Sequence, residues 1–515
     1  MASRKGGKKS AAKRKAVSAT KRKVAATAKR NATATKKPAK RKAGRRKAAS
    51  GPQVLVVNMM PKALSREHNQ DSEPTIAVNP ANPLEIVGTS FTPDPMGGAL
   101  APLYVSRDGG NTWSLNSIVP SHAKSSSGTF DISVAFGSAG GRLYGGILRD
   151  SSENFETLRS ADPTAATAMQ VLQSRPDNDQ PFTHAITKAG KDSVYIGNND
   201  FQAQPKTATV DVYADAAKGT PAPKKVRIEV RNTAGQDGPQ VRPVAHADGT
   251  AYAAFYGWRS QTGSFPGNTL VVTSDIVVVR DDHGGSGALA FQDLKDPGDG
   301  LAGRLVAHGV KIPFSSSGTA VTGQQRLGGT LAIAVDPRAG HSGVVWLAWA
   351  DQQPRSMMTI HVRRSDDRGA TWSAADLLTV PNAINAALAV NNAGVVGLLY
   401  QQLLGSGATA RWSTHFRSSA NGASWSDAVL ANTSATSPTK LFDPYLGDYD
   451  HLVAVGADFY GIFSASNQPA AANFPSGVKY QRNADFKNGR LLALDNTTPV
   501  AVSIDPFFFK VTGIS

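Results

Sequence analysis

The chain has 515 residues, enough for a large core or two domains, and no cysteine, which excludes disulfides, thiolate nucleophiles and Cys-ligated zinc. Its net charge of +17 is uneven: residues 1 to 50 carry 20 Lys and Arg and no acid, leaving 36 basic against 39 acidic groups, a net −3, in the rest. No apolar run approaches the ~20 residues of a membrane helix, and 49 Gly and 30 Pro among short apolar runs favour a turn-rich all-β body.

In chain order, residues 1–51 form a low-complexity segment of Lys, Arg, Ala and Thr. With almost no large apolar side chain and strong self-repulsion, it cannot offset the entropy of ordering and is expected to be disordered. In composition it resembles the Lys/Ala-rich tails of linker histones and bacterial histone-like proteins. That resemblance implies a nucleic acid or other polyanion as partner, held without sequence preference by basic runs such as Lys13-Arg14-Lys15, Lys21-Arg22-Lys23 and Arg45-Arg46-Lys47. A solubilising extension is the alternative. The basic start does not lead into the apolar stretch of a signal peptide, so a soluble protein is expected, cytoplasmic or nucleoid-associated rather than secreted.

From residue 52 the pattern changes to short strands separated by turns. A polar residue near Pro or an aromatic opens an apolar strand at Glu73-Pro74-Thr75-Ile76, Asp131-Ile132-Ser133-Val134, Asp179-Gln180-Pro181-Phe182 and Asp237-Gly238-Pro239-Gln240-Val241-Arg242. Further openings precede Leu331 to Val335 and Ala387 to Val390, and the last is Asp443-Pro444-Tyr445. Restarts about every 50 to 90 residues, each supplying about four strands, predict a β-propeller over 52–515, with seven blades by this count and six as the alternative. Closing the ring requires joining its ends, and the strand at Val54 to Val57 is placed to complete the last sheet.

Two octapeptides share the pattern S-x-D-x-G-x-T-W, Ser106-Arg107-Asp108-Gly109-Gly110-Asn111-Thr112-Trp113 and Ser365-Asp366-Asp367-Arg368-Gly369-Ala370-Thr371-Trp372. A degenerate copy from Ser418 to Trp425 has Ala420 in place of the Asp. In such a turn Asp and Thr bond the backbone, Gly supplies an otherwise costly φ, and Trp packs below. These resemble Asp-box motifs, and with the repeat pattern the chain resembles the sialidase and BNR-repeat superfamily over residues 52 to 515. The resemblance implies a site on the face where the inner strands begin and structural Asp boxes on the opposite face.

The residues just before the inner strands, Glu73, Asp131, Asp179, Asp237, Arg326, Asn385 and Asp443, should ring the channel, although most also read as turn residues. By resemblance Tyr445 would be the nucleophile, with Asp179 or Glu73 as proton donor. Arg242 and Arg326 would orient the substrate, and Asp131 and Asp448 would contact it. The Arg-Ile-Pro-type signature expected near the first blade is absent, and Glu73-Pro74 stands in the comparable place. Asp448-Tyr449-Asp450-His451 is the densest polar cluster of the body and reads best as a Gly447-assisted turn with solvated acids. No metal is assigned, since His184, His246 and His283 lack ligand spacing, and no nucleotide or cofactor fingerprint is found. The expected function is binding of a carbohydrate or glycoconjugate without catalysis, the alternative being an exo-sialidase-like glycoside hydrolase.

Overall fold

The structure is a computed structural model that describes residues 51–92, 100–120, 129–149, 154–236, 238–264, 267, 269–314, 329–354, 356–439 and 445–514. The basic tail with Lys13, Arg14, Lys15, Lys21, Arg22, Lys23, Arg45, Arg46 and Lys47 lies outside these residues, as do Asp237, Arg326 and Asp443. The described residues form eight sheets. Six are four-stranded antiparallel meanders, spanning 72–120, 132–175, 178–227, 241–314, 331–381 and 383–434. The seventh joins strands from both ends of the body. His451–Val455 and Asp458–Ser466 pair in a hairpin, Ile504–Thr512 lies beside the second of them, and Gln53–Asn58 pairs antiparallel with Ile504–Thr512.

The first strand of each sheet packs against the first strand of the next, and His451–Val455 returns to Ser72–Val78, so the sheets close a ring of seven blades. The early strand is what closes it. Val54 pairs with Val511 and Val57 with Phe508, which joins the two ends of the body in one sheet without leaving the last blade an open edge. The eighth sheet is small, with strands at Ala484–Asp485, Arg490–Leu492 and Pro499–Val500.

Two inner strands are almost wholly apolar because both their faces are covered. Leu331–Val335 and Ala383–Val390 are buried throughout, and their alternating alanines leave room where strands crowd around the axis. The core sits between blades. Trp346 and Ala348 of the fifth blade meet Leu388 and Leu398 of the sixth, and Leu399 and Phe416 of the sixth meet Phe459, Phe507 and Phe509 of the seventh.

Both intact octapeptides fold as the same turn between the third and fourth strands of their blades. Asp108 accepts from the Thr112 amide at 2.9 Å and its hydroxyl at 2.7 Å, and the Trp113 indole donates to the Gly110 carbonyl at 3.1 Å. Asp367, Thr371, Trp372 and Gly369 repeat this at 2.8, 2.6 and 3.1 Å. In the degenerate copy Ser419, one residue later than the pattern suggests, accepts from the Gly422 amide at 2.8 Å, while the Trp425 indole still donates to Gly422. The turn glycines lie against the preceding blade: a Cβ on Gly110, at φ +91°, would lie 2.0 Å from the Phe508 ring. Asp367→Ala is expected to cost about 1 kcal/mol in urea unfolding, because the three bonds its carboxylate makes to Ser365 and Thr371 go while the Trp372 contact stays.

A second repeat joins the fifth and sixth blades, which share H-x-R-x-S at His361 to Ser365 and His415 to Ser419. In the fifth blade the His361 ring stacks on Trp349 at 5.1 Å, Arg363 lies over the same indole, and Asp376 accepts from His361 and Arg363, each at 2.8 Å. The sixth blade repeats it, with His415 stacked on Tyr400 at 5.0 Å and Asp427 accepting from His415 at 3.0 Å and Arg417 at 3.1 Å. Cross-strand pairing of Trp349 with His361 and of Tyr400 with His415 makes the stacks.

Candidate functional site

Three inner strands open with the same local device. The ladder shifts register between Ser72 and Thr75, between Asp179 and Phe182, and between Ile384 and Ala387. Within each bulge one non-glycine residue adopts positive φ: Glu73 at 49°, Gln180 at 55° and Asn385 at 57°. For such residues the left-handed region is costly, and a bulge re-aims the side chain it carries. Pro74 and Pro181 follow two of them, residues that cannot donate to the ladder.

The segment Gly447–Tyr449 is held by several blades at once. The Asp448 amide donates to Glu73 Oε1 at 3.2 Å, Gln240 Nε2 donates to the Asp448 carbonyl at 2.8 Å, and Asn385 Nδ2 donates to the Gly447 carbonyl at 3.1 Å. Gly447 has φ +96°, and a Cβ there would lie 2.4 Å from Glu73 Cγ, so the close approach requires glycine. Tyr449 donates to Asp131 Oδ1 at 2.9 Å and packs edge-on against Phe182. Burial, followed by the charges of Asp131 and Glu73, holds its hydroxyl far above the usual tyrosine range, so it is a fixed donor. The expectation of solvated acids in this cluster is corrected: Asp448 is 8% exposed and Asp450 0%. Segment 447–450 supplies interior bonds across the ring, so its acids turn inward.

Above this segment lies a cavity of about 780 Å³. Asp131, Asp179 and Asp448, from three blades, line it together with Gln180, Lys206 and Trp258; Gln204, Gln261 and Phe314 complete the polar and aromatic wall. Gln180 Oε1 is buried and accepts no hydrogen bond. Asp179 Oδ1 accepts the Gln180 amide at 2.9 Å and fixes the bulge.

A smaller cavity of about 220 Å³ occupies the channel, lined by inner strands and by Arg242, His184 and His451. Arg242 stacks on Phe182 at 3.2 Å and donates to Gln240 Oε1 at 2.8 and 3.1 Å. Burial, then the nearby Arg242 charge, brings His451 down to about 3, and burial brings His184 down to about 4, so both are neutral at pH 7. His451 Nδ1 accepts the Ile76 amide at 3.1 Å, which places its proton on Nε2.

The structure thus brings Asp131, Asp179 and Asp448 to one cavity and places the other described candidates elsewhere. Glu73 is 1% exposed and holds the Asp448 amide. Arg242 faces the channel. Tyr445 is 0% exposed, its hydroxyl donates to the Ser437 carbonyl at 3.2 Å, and burial raises its pKa, so it is not poised as a nucleophile. The sequence reading named Tyr449 only as part of a polar turn and did not single out Gln180 or Trp258. The Gln180-Pro181 pair, echoing Glu73-Pro74, was the available signal for Gln180; Trp258 sits in an apolar run that reads as core.

No protein-family model matches the chain, and no curated protein matches it in sequence. Among solved structures it is similar to the GH93 α-L-arabinofuranosidase of Fusarium graminearum in complex with arabinobiose, at TM-score 0.42 and 13% identity over 71% of this chain and 97% of that one. It is also similar to a Penicillium chrysogenum α-L-arabinanase complexed with arabinobiose, at 0.37 and 13% over 88% and 97% of the two chains. A third is the phage phi92 endosialidase, at 0.39 and 11% over 90% and 69%.

Proposed function

We propose that the protein binds a glycan in the cavity on its inner-strand face. The observation that carries this is the convergence of Asp131, Asp179, Asp448 and Gln180 on one cavity of about 780 Å³ with aromatic edges in its wall. Sugar hydroxyls donate to carboxylate and amide oxygens, and sugar C–H faces pack on aromatic carbon; a mainly apolar ligand would leave these polar groups unpaired. Isothermal titration of the full chain against a panel of oligosaccharides tests it. At least one sugar should bind, and Asp179→Ala should weaken it tenfold or more, since it removes a wall carboxylate and the bond that fixes Gln180. Failure of the whole panel, or wild-type affinity in Asp179→Ala, would overturn the reading.

Three carboxylates in one cavity also favour a second reading, hydrolysis of a glycosidic bond by a carboxylate pair drawn from Asp131, Asp179 and Asp448. Release of aryl aglycone from a glycoside panel, lost in Asp179→Asn and Asp131→Asn, would support hydrolysis; binding without turnover leaves recognition alone. The tail forms a separate part of the proposal. Its 20 basic residues without an acid suit a polyanion, and the full chain should retard DNA at low salt and lose that between roughly 50 and 200 mM salt. Equal retardation by residues 52–515 would remove the tail from the proposal.

A further inference from the structure

Near the strand that closes the ring, three carboxylates meet inside the protein. Glu67 follows the short 3-10 turn Lys62–Leu64, Asp71 immediately precedes the first inner strand, and Asp505 lies in Ile504–Thr512. Oxygens from all three lie within 4.8 Å of one another. Asp505 is fully engaged: Oδ1 accepts from Asn467 at 2.6 Å and Ser503 at 3.1 Å, and Oδ2 from Asn58 at 2.7 Å and Arg482 at 3.2 Å. The other two carboxylates are half-used. Glu67 Oε1 accepts the Asn69 amide and Asp71 Oδ2 meets the Tyr104 hydroxyl at 3.4 Å, but Glu67 Oε2 and Asp71 Oδ1 are buried and accept no hydrogen bond. Asp71 is 0% exposed and Glu67 9%.

The charges do not balance. Among the described residues Arg482 is the cation that meets the cluster: Nη1 donates to Asp505, Nη2 to the carbonyls of Ser65 and Glu67 at 3.0 and 2.5 Å, and Nε is buried without a partner. One guanidinium among three carboxylates leaves the cluster short of positive charge, in an interior where an uncompensated ion costs several kcal/mol. The two orphaned carboxylate oxygens mark where a missing partner would sit.

We propose that Glu67 and Asp71 hold one hard divalent cation, of the Ca²⁺ or Mg²⁺ type, through Glu67 Oε2 and Asp71 Oδ1, with the Asp505 carboxylate beside it. The donors are all oxygen, with no imidazole or thiolate, which suits a hard ion and disfavours zinc or copper. The ion supplies the missing positive charge. Its position sets its structural role. Asp505 belongs to the strand that pairs with Gln53–Asn58, Asp71 leads into the first blade, and the Asp71 amide already donates to the Ile504 carbonyl at 2.8 Å. The cation therefore fastens the first blade to the last.

Calorimetric titration of the EDTA-treated full chain with CaCl₂ and with MgCl₂, paired with thermal melting, tests this. One equivalent of at least one ion should bind, and millimolar ion should raise Tm by several degrees, because the ion binds the folded state alone. Glu67→Gln and Asp71→Asn should each weaken binding tenfold or more and remove the rise in Tm, while their ion-free melting stays at or above that of the wild type because a buried charge has gone. Absence of binding and of any Tm change with both ions would overturn the proposal, and so would wild-type affinity in Glu67→Gln. Should Asp71→Asn fail to fold, Glu67→Gln alone decides.

Discussion

Gly197→Ala is expected to lower stability by about 2–4 kcal/mol. Gly197 pairs with Phe182 and Val210 in the second strand of the third blade, and its Cα faces the neighbouring blade. A Cβ there would lie 2.1 Å from the carbonyl oxygen of Val241 and 2.9 Å from Pro243 Cδ. The oxygen is backbone, so no rotamer change relieves the clash, and the inner strand Val241–Ala245 must move away from the third blade. That strand carries Arg242, and Phe182 beneath it abuts the bulge at Asp179 and Gln180, so the cavity wall shifts too. Gly190→Ala is the control: Gly190 has φ +74° with nothing within 4 Å, so only backbone strain of about 1 kcal/mol is expected there. Urea unfolding of both variants measures the difference, and equal losses would rule out the inter-blade clash as the cause.

Raising the pH above neutrality is expected to destabilise the fifth blade through His361. Burial alone would lower the pKa of this imidazole, but hydrogen bonds to Asp351 at 3.2 Å and Asp376 at 2.8 Å prevail and raise it to about 9. The side chain is only 12% exposed, so solvent screens the pair weakly. A pKa raised on folding stabilises the folded state fully below the unfolded value near 6.5, and that contribution is lost as pH rises through about 9. The loss amounts to roughly 3 kcal/mol at most. Unfolding free energies of the wild type should fall between pH 7 and pH 10, and those of His361→Gln should fall by much less. A parallel fall in both proteins would place the titrating group elsewhere.

The architecture was legible in the sequence because it repeats. Apolar runs such as Leu331–Val335 restart after polar openings, and turns such as Asp108 to Trp113 need Asp, Gly, Thr and Trp at fixed spacing, so local chemistry alone marks the blades. Closure by Val54 to Val57 was legible for a related reason, since a ring with an unpaired last blade would expose a sheet edge. The site was legible only in part. Asp131, Asp179 and Asp448 stand at strand openings, where a propeller directs side chains to one face. Tyr445, four residues from Tyr449, could not be told from it by position: whether a tyrosine sits in the core or beneath the cavity depends on how segment 445–450 crosses the other blades.

What the sequence determined by itself is the repeat of four-stranded blades and their turns, because each follows from interactions within about ten residues, while seven or six blades both fitted the pattern until the ring was seen to close. Tertiary structure alone decided which polar residues share a space. Glu73 bonds Asp448 across 375 positions, Tyr449 bonds Asp131 across 318, and the buried acids Asp71 and Asp505 meet only where the chain's two ends are sewn together. Such contacts arise from the closure of the ring, and no local pattern encodes them. The two octapeptides thus mark the repeat, while the acids that line one cavity come from strands far apart in the chain.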